Sequence, residues 1–478
     1  MIVLYIILAA IVVLLAVVLL RTLAFKPKEK TYPEAEAVTV DGDLAVRRLQ
    51  ELVRCKTVSY EESELEDDAE FEKLIGLLPE LYPNVAKVCA MQHLPHRGLL
   101  FHWKGREEGE VAVMMAHYDV VPVEEENWTK KPFDAVVEDG ILWGRGSIDT
   151  KLTFNGVLSA ADQLIGEGFT PQKDMYFAFS GEEEINGPGA EIIVDWFAEH
   201  GITPSLVIDE GGAVVEDVFP GVKEPCGLIG IAEKGSMNLT FSIESSGGHA
   251  SAPQPHTPVG ELAAACAAVE NHPCKLHMTK PAAEMFDTLG RRSTFLYRMI
   301  FSNLWLFSGV LDGICKKSGG ELNALLRTTV AFTQAKGSKA PNVIPPKASM
   351  VANIRINPAE SVQGVIDRIR ETIGNDRITL TPFMTNEPSR ISETDCPAWD
   401  KVASAVRNTW KGCVVAPYLM VQASDSRHYG RISDHVYRFS AADLTAEERH
   451  SIHGNDEHVR TAVIVRAVEF YVRVMKQC

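Results

Sequence analysis

The chain has 478 residues, 46% of them hydrophobic and 23% charged, with 64 Asp and Glu against 47 Lys and Arg for a formal charge of −17. These are ordinary globular values, and the length is enough for two or three domains with complete cores. The acidic balance argues against nucleic acid or an anionic membrane surface as the main partner, and nine scattered Cys without a Cys-X-X-Cys pair argue against a disulfide framework and a thiolate metal centre.

Residues 2–20 are apolar throughout. At ~1.5 Å per residue they span roughly 30 Å, one bilayer core. No basic residue precedes the run and no clear Ala-X-Ala site follows it, so a single-pass anchor fits better than a cleaved signal peptide. Arg21, Lys26, Lys28 and Lys30 come just after, which favours a cytoplasmic body by the positive-inside rule. Two sequons, at Asn127 and Asn238, point the other way. Residues 25–40 are charged and Pro-containing and read as a linker, and a helical pattern over 43–53 opens the folded body.

An apolar, strand-like run at 111–115 leads into His117-Tyr118-Asp119. A strand ending in His and Asp puts both side chains at the carboxyl edge of a sheet, where open α/β folds bind ligands. An imidazole beside a carboxylate is also the usual zinc arrangement. Gly144-Arg145-Gly146-Ser147-Ile148-Asp149 then precedes a helical pattern over 151–166. A second run at 175–179 ends in Ser180-Gly181-Glu182-Glu183-Glu184. Adjacent carboxylates repel, and a bound cation would relieve them, although a solvated acidic loop is the commoner reading of such a triplet. A third run, 206–208, ends in Asp209-Glu210-Gly211-Gly212. Three runs that each end in His or carboxylate, with helices between, predict an α/β domain with a mixed, largely parallel sheet flanked by helices, its acidic clusters converging on one edge. Oxygen and imidazole donors without thiolate suit zinc, with manganese or cobalt as alternatives.

The middle of the chain has strand-like stretches at 231–243 and 348–356 and helical ones at 259–270 and 362–373, without a metal cluster. This predicts an inserted, smaller α+β domain. Residues 295–310, FLYRMIFSNLWLFSGV, are apolar but too short to span a bilayer. A helix over 398–410, a strand over 414–421, Ser424-Asp425-Ser426-Arg427-His428, His453-Gly454 and an amphipathic helix over 458–475 complete the chain.

Five motifs now stand in order: His117-Tyr118-Asp119-Val120-Val121-Pro122; Gly144-Arg145-Gly146 with Asp149 and Lys151; Glu183-Glu184 followed by Gly187; Asp209-Glu210-Gly211-Gly212; and His453-Gly454 with Asp456-Glu457. Together they resemble the di-zinc aminoacylase, carboxypeptidase and deacetylase family, which includes glutamate carboxypeptidase and acetylornithine deacetylase. The 295–310 insert and Asn323-Ala324-Leu325-Leu326-Arg327-Thr328-Thr329 resemble its carboxypeptidase S and N-fatty-acyl-amino-acid hydrolase branch. The resemblance implies an anchor at 1–24, a linker at 25–40, a zinc catalytic domain at 41–234 and 387–478, and a lid or dimerisation domain at 235–386. It implies two zinc ions, one on His117 and Asp209, the other on Glu184 and His453, with Asp149 bridging. Asp119 would hold the His117 imidazole and Glu183 would be the general base. His249, which in dimeric relatives reaches the neighbouring subunit's site, would polarise the scissile carbonyl, and Asn342 and Arg355 would grip the substrate carboxylate. Asp149 is followed by Thr150 where many relatives carry a second Asp, and the choice of Asp209 over Glu210 rests on the resemblance alone.

The implied activity is hydrolysis of an amide bond beside a free carboxylate, in a small peptide or an N-acyl amino acid. The alternatives are a small-molecule biosynthetic deacetylase and a metal-dead, membrane-held binding protein. The resemblance leaves a homodimer through the lid open.

Overall fold

The computed structural model describes residues 1–28 and 30–478. Its first helix, α1 (Ile2–Ala24), is long and apolar enough to cross a membrane. It is exposed along its length except at Val18 and Thr22, near its carboxyl end. Helix α2 (Gly42–Val53) starts where the Asp41 carboxylate accepts a hydrogen bond from Leu44 N at 2.9 Å, an N-cap of ordinary kind.

The body then runs through β1 (Ala90–Leu94), β2 (Gly98–Trp103), β3 (Val111–His117), α3 (Lys151–Gly166), β4 (Met175–Ser180), α4 (Gly189–Glu199), β5 (Pro204–Val215) and β6 (Cys226–Glu233). The inserted middle supplies β7 (Gly235–Glu244), α5 (Pro258–Asn271), α6 (Lys280–Gly290), α7 (Phe295–Ser302), α8 (Leu304–Ser318), β8 (Thr329–Lys336), β9 (Lys347–Ile356), α9 (Val362–Ile373) and β10 (Thr379–Asn386). The chain returns through α10 (Pro397–Thr409), β11 (Val414–Met420), β12 (Val436–Asp443) and α11 (Thr461–Met475).

The large sheet has the order β1-β2-β4-β3-β5-β12-β6-β11. It is mixed. The pairs β3–β4, β3–β5, β5–β12 and β6–β11 are parallel, whereas β1–β2, β2–β4 and the single β12–β6 bridge are antiparallel. The sequence reading had emphasised the parallel part, because the β1–β2 hairpin carries no signal of the kind that marks β3 to β5. Every residue of β3 and β4 is buried, the pattern of strands covered by helices on both faces. Helices α3 and α11 pack tightly there. A Cβ on Gly156 would lie 3.1 Å from the Tyr471 ring.

The smaller sheet, β8-β9-β7-β10, is antiparallel throughout. In β7 burial alternates strictly, with Met237, Leu239, Phe241 and Ile243 inside. A sheet with one covered face requires that alternation. These side chains form a separate core with Leu262 and Val269 of α5, Ile354 of β9 and Ile366 of α9. Not all of the 235–386 stretch joins it. Met285, Phe286, Leu289, Phe301, Leu311 and Leu325 belong to the large core, and α6 lies against the edge strand β11.

The two glycines after Glu210 are set by this packing. Gly211 has φ +136°, and a Cβ there would fall 2.3 Å from Met420 Sδ; a Cβ on Gly212 would fall 1.9 Å from the Leu228 carbonyl oxygen. Gly212→Ala must push two backbones apart and should cost upwards of about 1–3 kcal/mol. The expected result is a clearly lowered melting temperature, whereas Gly309→Ala on α8, where a Cβ meets nothing within 4 Å, should melt with the parent.

Candidate active site

Strands β4, β3 and β5 run parallel and end together. His117 pairs in register with Ser180, and Met114 with Ile208. The residues just past these ends therefore reach one edge: His117 itself, the Glu183–Ile185 turn after β4, and Asp209 and Glu210 as β5 continues beyond its β3 partner. The loop before α3 brings Asp149 from a fourth direction, and the loop before α11 brings His453.

His117 is buried. Its Nδ1 lies 3.1 Å from the Asp119 carbonyl and 3.3 Å from Asp119 Oδ1, and its Nε2 lies 3.1 Å from Asp149 Oδ1 and 3.4 Å from Glu210 Oε1. Asp119, completely buried, also accepts from Ser59 Oγ (2.7 Å), Glu183 N (3.1 Å) and Glu184 N (3.1 Å). One carboxylate thus fixes both the imidazole and the acidic turn. On the other side His453 Nε2 is 3.0 Å from Asp149 Oδ2 and 3.1 Å from Glu184 Oε2. The His453 side chain is 52% exposed, so the cluster opens to solvent there.

The electrostatics are those of acids crowded out of water. Burial pushes the Glu183 carboxyl well above its ordinary range, with the charges of Asp425, Glu210 and Glu184 adding to it. Burial and the Asp149 charge push Glu184 and Glu210 up to about 7. Burial would lower His117, but Glu210, Asp119 and Asp149 outweigh it and hold the imidazole well above its usual value. Hydrogen bonds to Asp149 and Glu184 raise His453 to about 11. Glu184 Oε1 is buried without a hydrogen-bond partner. His117, Asp149 and Glu184 form one group whose donor atoms lie within 4.8 Å of one another, and His117, Glu183 and Glu210 form another. Imidazole and carboxylate donors this close, one oxygen unpartnered, fit divalent cations.

Of the two neighbours Asp209 and Glu210, it is Glu210 that faces His117. Asp209 points the other way, and its Oδ2 accepts from Ser426 N at 3.0 Å. Successive residues of a strand point to opposite faces, so only one of the pair can enter the cluster. The other histidines near His453 are engaged elsewhere. His450 Nδ1 lies 2.6 Å from the Ala446 carbonyl, and His458 stacks on Trp143.

His249 and Asn342 lie together on the short ladder that pairs Gly248–His249 with Val343–Ile344, exposed on the inserted unit. The side-chain hydrogen bonding of His249 is to Ser251. Arg355 sits on β9, opposite Ser236 of β7 and Thr329 of β8. Burial lowers its pKa, opposed by the charge of Glu233. Among the described residues its guanidinium has no hydrogen-bond or ion-pair partner. The structure does not bring these three side chains into contact with the carboxylate cluster.

Several supporting residues carried no role in the sequence reading. The Glu457 carboxylate, fully buried, accepts from Arg145 Nη1 (2.7 Å), Gly146 N (3.0 Å), Ile148 N (2.7 Å) and Asp149 N (3.2 Å), while Arg145 Nη2 donates to the Gly454 carbonyl at 2.8 Å. It locks the loop bearing Asp149 to the loop bearing His453. The available signal was an Arg between two glycines, a charge that needs a partner once buried. The Glu233–Arg438 pair, 2.9 Å and buried, likewise holds Ser424 N at 2.6 Å. Asp425 beside it accepts from Ser180 Oγ.

Comparison with known proteins agrees with this geometry. The pattern of peptidase family M20/M25/M40 matches residues 113–477. A probable carboxypeptidase S-like 2 of Dictyostelium discoideum is 32% identical over 97% of this chain and 92% of its own. An N-fatty-acyl-amino acid synthase/hydrolase of Xenopus tropicalis is 33% identical over 98% of this chain and 93% of its own. The fold is shared with an M20 family metallo-carboxypeptidase from Sulfolobus solfataricus (TM-score 0.66, 15% identity, 90% of this chain and 98% of that one). It is shared too with human carnosine dipeptidase 1 (TM-score 0.64, 13% identity, 91% and 96%).

Glu457→Gln removes a buried charge that faces four donors, and breaking such a pair costs about 3–5 kcal/mol. The variant should melt well below the parent and bind less divalent metal per chain. Asp456→Asn, which loses only contacts to Thr129 at the surface, should cost on the order of 1 kcal/mol and keep its metal. Equal melting and metal content in the two variants would remove Glu457 from this role.

Proposed function

The chain belongs to peptidase family M20/M25/M40 and is a metallohydrolase of its carboxypeptidase and aminoacylase kind, and from that premise we propose that it cleaves the amide bond beside a free carboxylate in an N-acyl amino acid or small peptide. The observation that carries the reading is the cluster itself: His117, Asp149, Glu184, Glu210 and His453 joined by contacts of 3.0–3.4 Å, with Glu184 Oε1 unpartnered.

Two cations fit these donors. We assign one to His117, Asp149 and Glu210, with Glu210 in the place the resemblance gave to Asp209, and the other to Asp149, Glu184 and His453. Zinc suits the donor set best, with manganese or cobalt as alternatives. Bound there, the ions supply Lewis acidity and a water acidic enough to attack at neutral pH. Glu183 is the general base. Burial raises its proton affinity, which suits a group that takes a proton from water and passes it to the leaving amine. Asp119 acts through His117 and through the Glu183 and Glu184 amides, so it is a positioning residue. The unit built on β7 to β10 acts as the lid and carries His249 for the scissile carbonyl and Asn342 and Arg355 for the substrate carboxylate. An unpaired, partly buried guanidinium is well suited to that anion. The names of the relatives support apolar N-acyl groups. We further assign α1 as a retained membrane anchor, with the body on the cytoplasmic side favoured by the basic residues after it.

Glu183→Gln should keep both metals and lose turnover, because it removes a base and not a ligand. Glu184→Gln should lose metal. Metal analysis beside activity checks the pair, and exchanged behaviours would shift the assignment by one residue. Arg355→Ala should lower kcat/KM on the order of 10²-fold with metal content intact, since one partner of a buried charge pair is worth several kcal/mol. Arg355→Lys should recover part of this. An amidated substrate should be poor for the parent and lose little more in the variant; equal loss on free-acid and amidated substrates would make Arg355 a fold residue. In sealed vesicles, protease added outside should leave the body intact if it is cytoplasmic.

A further inference from the structure

Helices α7 and α8 carry apolar side chains that nothing in the fold covers. Leu296, Tyr297, Trp305, Leu306, Val310 and Ile314 are between 39% and 61% exposed. Leu306, Val310 and Ile314 recur every four residues, which makes a stripe on one face of α8. The stripe lies beside the inward one of Leu311 and Cys315. The two helices thus have one face in the core and one face offered outward, and the outward face is as apolar as the inward one.

That face is continuous with α1. Thr22 Oγ donates to the Val18 carbonyl (2.7 Å) and lies 3.2 Å from Ser302 Oγ at the end of α7. Asn303 Nδ2, fully buried, lies 3.3 Å from the same Val18 carbonyl, and Arg21 Nε donates to the Ser302 carbonyl at 3.2 Å. Arg291 lies over the Phe25 ring and donates to the Lys26 carbonyl at 3.0 Å. The contact falls at Val18–Thr22, across the point where the uncharged run of α1 ends. It fixes α7 and α8 at the level where α1 leaves the hydrocarbon. Arg21, Arg298, Lys316 and Lys317 border the apolar face. An apolar face with Trp and Tyr, edged by Lys and Arg whose stems can reach back to the headgroups, is the composition of an interfacial helix.

We propose that α7–α8 is a second membrane-contact surface, seated in the leaflet from which α1 emerges, so that the catalytic body lies against the bilayer instead of hanging from a tether. The inference rests on the assignment of α1 as an anchor. Lipid is the occupant that the geometry selects, because the face continues from a helix whose own side chains require lipid and lies at the depth where that helix ends.

The test uses full-length, metal-loaded protein reconstituted in phosphatidylcholine vesicles. The native cysteines are buried except for the half-buried Cys396, so single labelling sites are made in a Cys396→Ser background. Leu8→Cys, Val310→Cys and the lid control Ser338→Cys each receive an environment-sensitive fluorophore, and lipids carrying a quencher are added. Quenching at 8 and at 310 should exceed that at 338 by on the order of threefold. Quenching at 8 but only control-level quenching at 310 would overturn the inference and leave the anchor. Control-level quenching at both would overturn the anchor assignment and the inference with it. Quenching at 310 that follows the protein-to-lipid ratio and ignores the quencher lipid would assign the face to a second copy of the chain and overturn the inference.

Discussion

The carboxylates of Asp119, Asp149, Glu183, Glu184 and Glu210 crowd two imidazoles, those of His117 and His453, in a place with little water. Placing that much negative charge in a low-dielectric site is expensive unless cations share it. The rest of the structure follows from this constraint. Two parallel strand pairs deliver the acids to one edge. Ser59 and the amides of Glu183 and Glu184 neutralise Asp119 by hydrogen bonding. The Arg145–Glu457 and Glu233–Arg438 pairs hold the flanking loops so that the acids cannot relax apart. Dications are the balancing charge that the protein itself leaves out.

The architecture separates holding metal from choosing substrate. The ligands sit on a sheet buried on both faces, where strand ends are rigid. Arg355, Asn342 and His249 sit on a smaller sheet with one open face, outside direct contact with the cluster. Residue Lys234, buried at the junction between β6 and β7, donates to the carbonyls of Ala324 and Arg327 at 2.9 Å each. The junction between the two sheets is therefore tied to the helical part of the insert, which itself packs on the large core.

How much of this could be read in the chain depended on whether a signal was local. His117, Asp149, Glu184 and His453 each belong to a short motif at the end of an apolar run or just before a helix, and the structure brings all four together. The alternation of β7 likewise announces a sheet with one buried face. The choice between Asp209 and Glu210 was not local. Both are acids on one strand, and only the register with β3 decides which of two opposite faces meets His117. The same holds for residues 280–326, whose amphipathic helices declare that they will be buried on one side but not against which core. Glu457 was quoted within a motif without a role, because its partners lie some 310 positions earlier in the chain.

The Glu457 contacts also set an order in time. During synthesis the amino-terminal half emerges first with β3, β4 and β5, and so with His117, the acidic turn and Glu210. The loop bearing Asp149 stays without its four-donor clasp, and the second imidazole is missing, until the last stretch of chain leaves the ribosome and α11 packs against α3. The acids are therefore gathered before the residues that complete their arrangement exist. A nascent or carboxyl-terminally clipped chain holds an incomplete site, which makes hydrolytic competence the last property the chain acquires.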